Sequence, residues 1–230
     1  MLKLLRISFI LLLTASFCCK GQQHNTLAGA DTLRSSGKKY TPAGIRLGYD
    51  LIALFRNNFT DNFSGYEINA DVDFNRYYLA VDYGNWGRNF VTQDHAYSSD
   101  GNYFRVGADV NFLKKDPEKN MFFLGMRYVR SVFSEYLSTQ VSDSVWGFPR
   151  QEYTNTNVKG RWFELTGGIR VKVWKIIWMG YTARFKFALK TSDSPFMIPH
   201  DVPGYGRTDK TSYWGFNYQL FIRLPFRKDR

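Results

Sequence analysis

The chain has 230 residues, which is enough for one sizeable domain, and its formal net charge is +11. Aromatic residues make up 18% of it, yet its mean hydropathy is only -0.37, so apolar side chains are dispersed among polar ones. A transmembrane helix needs about 20 nearly uncharged apolar residues, and no stretch after Lys20 has that composition. Beyond this point any membrane-spanning segment must therefore consist of β-strands.

The first 21 residues have the three-part layout of a secretory signal. Lys3 and Arg6 precede an apolar run from Ile7 to Phe17, and small residues follow. We predict a cleaved signal peptide at 1–21. The polar stretch at 22–42 shows no apolar period, which predicts a flexible periplasmic leader, and 43–230 then forms the folded domain.

Both cysteines of the chain, Cys18 and Cys19, lie in the predicted signal. A lipoprotein with a lipid on one of them is an open alternative, although Phe17 is bulky for the residue before Cys18. In either case the exported protein contains no disulfide-bonded core.

The basic balance persists after export. Removal of Lys3, Arg6 and Lys20 leaves 28 basic against 20 acidic residues, or +8. A basic surface suits anionic lipid headgroups, so we expect outer-membrane lipid and lipopolysaccharide as partners. Nucleic acid is not expected, because the protein is exported and its charges form no continuous basic stripe.

From Ala43 onward, apolar and polar residues alternate with a period of two, in runs about as long as a tilted strand that crosses a bilayer. The pattern predicts eight strands at 43–55, 65–74, 77–86, 102–113, 121–133, 161–173, 176–188 and 213–226.

The connections alternate between short and long. The short ones lie at 75–76, 114–119 and 174–175, and the long ones at 56–64, 87–101, 134–160 and 189–212. Bacterial outer-membrane barrels have short periplasmic turns and long external loops. We therefore predict that the short turns and both termini are periplasmic.

One face of the predicted strands carries both signs of charge in near balance. Its acidic residues are Asp50, Glu67, Asp71, Asp73, Asp82, Asp109 and Glu164, and its basic residues are Arg46, Arg105, Arg127, Arg170, Lys172, Arg184, Lys186 and Arg223. We expect Asp71, Asp73 and Asp109 to pair with Arg105, Arg127 and Arg184. Charges enclosed in a lumen have to pair, since an unpaired one is costly.

Aromatic residues favour the same orientation, because they form two predicted interfacial girdles. One comprises Tyr77, Tyr78, Trp174, Trp178 and Phe226, and the other Phe55, Tyr66, Phe163, Phe187 and Trp214. A soluble lipocalin-like barrel with an apolar cavity is the alternative. The balanced charges and the girdles together favour a transmembrane antiparallel up-and-down β-barrel with a filled polar lumen.

Residues 43–226, with their alternating strands and final aromatic strand, resemble the small eight-stranded outer-membrane barrels, in particular poorly characterised barrels of the Bacteroidota. Arg227 to Arg230 depart from barrels that end on Phe. The resemblance implies location in the cell outer membrane and contact with the insertion machinery. Such barrels are usually solid proteins or parts of larger complexes, so the resemblance implies the same for this chain.

Candidate catalytic residues are few. Asp94 with His95, and His200 with Asp201, lie in two predicted long loops, where they could activate a water molecule or Ser98. Two histidines without close spacing provide no metal signature, and no cofactor motif is present.

We therefore expect a non-enzymatic structural or accessory subunit of a larger outer-membrane complex for protein assembly, secretion or import. Its other protein partners would bind the long loops, in which Trp146, Phe148, Phe196, Met197 and Ile198 are apolar. A lipid-modifying enzyme or protease with the Asp/His site is the second hypothesis, and a small diffusion channel is the third.

Overall fold

The computed structural model describes residues 42–113, 116, 119–141, 147, 149–192 and 197–226. The predicted signal peptide, nearly all of the predicted leader and both cysteines lie outside these residues. The same holds for Trp146, Phe148 and Phe196 of the predicted partner-binding loops.

The described chain is almost entirely β-structure with one helix. Its elements are β1 (Gly44–Asp50), α1 (Leu51–Phe59), β2 (Phe63–Phe74), β3 (Tyr77–Val91), β4 (His95–Asn111), β5 (Met121–Gln140), β6 (Arg150–Trp174), β7 (Ile177–Thr191), β8 (Asp201–Val202), β9 (Gly206–Arg207) and β10 (Ser212–Pro225).

Eight of these strands close into an antiparallel barrel in the order β1-β10-β7-β6-β5-β4-β3-β2. Each barrel strand pairs with the barrel strands that precede and follow it in the chain, with β8 and β9 outside the ring. β1 closes the ring by pairing with β10 from Gly44 opposite Pro225 to Asp50 opposite Gln219. The predicted eight-stranded up-and-down barrel is confirmed.

The barrel has two different ends. Short turns such as Asn75–Arg76 lie at the same end as Gly44 and Pro225, and we call this the turn end. The helix α1 and the longer connections lie at the opposite end, which we call the loop end.

The prediction that the first strand reaches residue 55 was wrong, because β1 ends at Asp50 and α1 follows at once. Asp50 is the N-cap of α1: its Oδ1 accepts a hydrogen bond from the backbone N–H of Ile52 at 3.1 Å. Neither Gly nor Pro occurs in Leu51–Phe59, so nothing in this segment opposes a helix.

Several strands are also longer than predicted at the loop end. β3 continues to Val91 and β4 begins at His95, so most of the predicted loop 87–101 is a β-hairpin. β5 likewise extends to Gln140, and β6 already begins at Arg150. Alternation is weak here because both faces carry polar residues.

Side chains alternate as predicted between an exposed apolar outer face and a buried polar interior. The predicted interior charges are buried or nearly so, apart from the half-buried Lys172. Tyr78 and Trp178 correct the predicted girdle, because both point inward and are almost fully buried. Phe55 is also not a girdle residue of a strand, since it lies on α1.

The connection between β7 and β10 folds into the loop end of the barrel, which the sequence did not indicate. Val202 and Tyr205 of its β8–β9 hairpin are fully buried. Gly204 has φ +83°, and a Cβ there would lie 2.6 Å from the Tyr103 ring, so both the backbone conformation and the close approach require glycine. No helix among the described residues has the length and apolar character needed to cross a membrane.

Candidate functional site

Buried ion pairs fill the interior of the barrel in two groups. In the group nearer the turn end, Asp71 accepts hydrogen bonds from Arg46 Nε at 2.8 Å and from Arg170 Nη1 at 2.6 Å. Asp109 accepts from Arg127 Nη2 at 2.7 Å and also lies 3.7 Å from Arg170 Nη2. Arg170 thus links two carboxylates that come from different strands.

The group nearer the loop end is a four-membered arrangement of Glu67, Glu164, Arg105 and Arg184. Arg105 contacts Glu67 at 2.7 Å and Glu164 at 3.2 Å. Arg184 contacts the same two carboxylates at 3.2 Å and 3.3 Å. Each carboxylate therefore has two guanidinium partners, which provides the compensation that buried charges require.

These contacts change the predicted pairing. Of the expected arginines, only Arg127 pairs with one of the three aspartates, because Asp71 uses Arg46 and Arg170 instead. Asp73 pairs with Arg223 at 3.0 Å. Sequence alternation identifies the residues that face inward, but the pairing depends on how far each side chain extends across the lumen.

Aromatic rings complete the packing around the cations. The guanidinium of Arg170 lies 4.7 Å from the ring centroids of both Phe123 and Phe221. Arg46 lies 4.6 Å from the centroid of Tyr78. Such stacking compensates part of the hydration that the guanidinium groups lose on burial. Charged and aromatic side chains together pack this part of the lumen.

The β8–β9 hairpin covers the loop end of this network, and we call residues 197–207 the plug segment. Lys186 Nζ donates to the carbonyl oxygens of Gly204 at 2.7 Å and Tyr205 at 3.0 Å. The Tyr205 ring packs edge-on against Trp162, with centroids 5.5 Å apart. Polar and apolar contacts therefore both attach the plug segment to the barrel wall.

A cavity of about 320 Å³ remains beside α1, between the wall and the ion-pair group of the loop end. Arg56 of α1 lies over Phe63, 3.8 Å from its centroid, and 5.5 Å from that of Trp86. Burial, with the nearby charge of Arg88, lowers the pKa of Arg56. The cavity thus has an aromatic and cationic outer wall, above the acidic side chains of Asp50 and Glu67.

The contacts of each candidate catalytic residue are with other residues of the barrel and the plug segment. His95 Nδ1 is hydrogen-bonded to Thr139 Oγ1 at 2.7 Å, and the backbone of Asp94 accepts from Gln140. The His200 ring packs edge-on against Tyr97, while the Asp201 carboxylate pairs with Arg88.

Ser98 donates to Asn89 Oδ1 at 2.7 Å. Both Ser98 and His95 lie on β4 rather than in the predicted loop. The proposal of an Asp/His site stays a prediction.

No group of three or more His, Cys, Asp or Glu side chains suitable for a metal ion occurs in the described part of the chain. The residues that sequence reasoning missed are Tyr205 of the plug segment and Arg56 and Trp86 of the cavity. They come together from separate loops and strand ends, so no local pattern could have identified them.

Three solved structures are similar to the described barrel. The N-terminal β-barrel domain of Pseudomonas aeruginosa OprF is 10% identical, with 80% of this chain and 100% of that chain covered and a TM-score of 0.35. Neisserial surface protein A is 13% identical, with 80% and 96% covered and a TM-score of 0.40. Acinetobacter baumannii CarO is 12% identical, with 81% and 98% covered and a TM-score of 0.38.

None of the curated proteins compared with the chain matches it. One family model does match, and it spans residues 1–229, which is nearly the whole sequence. The chain therefore belongs to the family described as domain of unknown function DUF6048.

Proposed function

We propose that this protein is a non-enzymatic barrel of the outer membrane that serves as an accessory subunit of a larger complex for protein assembly, secretion or import. One observation carries the membrane assignment: charged side chains face the barrel interior, and large apolar ones face outward around the ring. The outward residues include Leu47, Ile68, Leu79, Phe104, Leu124, Leu165, Ile169, Phe216 and Ile222, each at least 43% exposed.

This distribution is the reverse of that in a water-soluble barrel, because a soluble protein does not leave so large an apolar belt in contact with water. Hydrocarbon is the solvent that suits the belt, and all backbone groups of a closed barrel are hydrogen-bonded internally. The turn end would then face the periplasm, together with Gly44 and Pro225, and the loop end would face outward.

The interior supports a closed barrel rather than a diffusion channel. Arg105 and Arg184 bridge Glu67 and Glu164 across the lumen, and the plug segment packs above them. An eight-stranded barrel has room for little beyond its own side chains. Function would accordingly depend on the outer surface and on the loop end.

The loop end supports a role in contacting other proteins. A tilted strand crosses a bilayer with about 9–11 residues, whereas β5 has 20 and β6 has 25. These strands therefore project well beyond the apolar belt. Val91 at the end of β3 is 83% exposed, and Ile198 of the plug segment is 86% exposed, so two apolar side chains are available there.

Purification of a tagged parent protein in mild detergent, after membrane fractionation, tests the proposal. We expect the parent in the outer-membrane fraction with co-purifying outer-membrane proteins. A Val91→Asp/Ile198→Asp variant should lose them, while the exposed control Gln93→Asp should retain them. A parent that reaches the outer membrane but purifies alone would remove the accessory role.

The proposed link to barrels of the Bacteroidota rests on the sequence resemblance alone.

A further inference from the structure

A row of cations crosses three adjacent strands on the outer surface of the barrel. Arg161 of β6 lies directly opposite Arg130 of β5 and, on its other side, directly opposite Lys190 of β7. Lys159 precedes Arg161 by two residues and so faces the same way. All four side chains are exposed, and we call them the basic row.

The basic row has no anionic partner within the described part of the chain. Arg130, Lys159, Arg161 and Lys190 form no ion pair with any carboxylate there, whereas the arginines of the lumen are paired. Like charges directly opposite each other on neighbouring strands destabilise a sheet. An external anion would remove this repulsion, so the arrangement suits an anion-binding surface.

Aromatic residues lie next to the basic row on the side of the turn end. Tyr128, Phe163 and Phe187 occupy opposed positions on β5, β6 and β7. The ring centroids of Tyr128 and Phe163 are 5.5 Å apart, and those of Phe163 and Phe187 are 6.2 Å apart. We call these three residues the aromatic row.

The two rows lie near the edge of the apolar belt on the side of the loop end. Arg130 is the tenth residue of β5 counted from Met121 at the turn end. Because about 9–11 residues of a tilted strand cross a bilayer, this count places the basic row at headgroup depth on the loop side. The aromatic row then lies beside the upper part of the acyl chains.

Two shallow cavities accompany the rows. One of about 460 Å³ is lined by all four cations together with Ser192, whose Oγ accepts from the backbone N–H of Lys159 at 3.0 Å. The other, of about 340 Å³, is lined mainly by apolar atoms and includes Tyr128 and Phe163. A polar recess and an apolar recess that share Arg161 fit an amphiphile with an anionic head.

We propose that the basic row binds the phosphorylated headgroup of lipopolysaccharide in the outer leaflet, while the aromatic row packs against the upper part of its acyl chains. Guanidinium groups match phosphate oxygens in bidentate geometry, which suits Arg130 and Arg161 as the central contacts. Neighbouring strands lie about 4.8 Å apart, so the outer cations of the row are separated by roughly 10 Å, and they can contact one phosphate or two. This inference rests on the proposed location in the outer membrane.

The test compares an Arg130→Gln/Arg161→Gln variant with the parent in detergent, using purified lipopolysaccharide and the same material after enzymatic dephosphorylation. We expect the parent to bind the phosphorylated form and the variant to bind it about tenfold more weakly or worse. The control Arg150→Gln/Lys175→Asn removes two cations elsewhere and should bind like the parent. The free energy of unfolding of the variant should be at least that of the parent, because the two substitutions remove repulsion between like charges.

Equal binding by parent and variant, or equal binding of the dephosphorylated form, would overturn the inference. Inorganic phosphate that displaces bound lipopolysaccharide as well as unlabelled lipopolysaccharide does would also overturn it. A lipid bound at this site also contacts the aromatic row, and inorganic phosphate cannot replace that contact. Membrane fractionation of the parent separates this failure from failure of the proposed function: a parent absent from the outer membrane contradicts the function itself.

Discussion

Arg127 on β5 donates from Nη2 to Oδ2 of Asp109 on β4 at 2.7 Å, and both side chains are shielded from solvent inside the barrel. The pair connects two adjacent strands and, through Arg170, the carboxylate of Asp71. Removal of one member of the pair would therefore leave the other charge buried without its nearest partner.

Arg127→Leu should destabilise the barrel by about 3 kcal/mol, because it leaves a buried carboxylate with only the more distant Arg170 as a cationic partner. Urea unfolding in detergent or lipid measures this change. The double variant Arg127→Leu/Asp109→Asn should recover much of the loss, since it also removes the uncompensated charge. An Arg127→Leu variant as stable as the parent would contradict a structural role for the pair.

Leu165→Arg should act through lipid rather than through the lumen. Leu165 is 47% exposed on the outer face of β6, well inside the apolar belt. An arginine near the middle of a bilayer costs about 2–4 kcal/mol in a barrel, so insertion into vesicles should slow and the folded fraction should fall. Leu165→Phe is the control, and an unchanged yield of folded Leu165→Arg would show that this face does not contact hydrocarbon.

Tyr205→Ala should loosen the plug segment while the strands remain paired. The substitution removes a fully buried ring that packs against Trp162, so local opening of 197–207 should become more frequent. Limited proteolysis should cleave this segment at least tenfold faster, and bilayer recording can show whether ions then enter the lumen. Tyr205→Phe keeps the packing and should resist proteolysis like the parent.

Asp50→Ala should weaken α1, because it removes the N-cap contact to Ile52 and the acceptor for Asn217 Nδ2 at 2.8 Å. Loss of a cap alone costs about 1 kcal/mol. Hydrogen exchange within Leu51–Phe59 should accelerate, with little change in β4 and β5. Asp50→Asn keeps an oxygen for Ile52 and should restore most of the protection, and equal exchange in all three proteins would argue against the cap.

The strand pattern and the identity of the inward charges were predictable from residues such as Glu67, Asp71, Arg105 and Arg184. They lie at every second position within apolar runs, and a strand places alternate side chains on opposite faces. The same pattern did not predict α1, because over so short a length the apolar residues in Leu51–Phe55 fit a strand as well as a helix.

The sequence by itself determined the closed eight-stranded barrel and the side of the wall that most residues of the predicted strands face, because both follow from local alternation and from the order of short and long links. Only the tertiary structure decided the partners of each charge, the burial of Tyr205 beneath the loop end and the alignment of Arg130, Arg161 and Lys190. Those features depend on strand register and on contacts between residues far apart in the chain, which local periodicity does not encode.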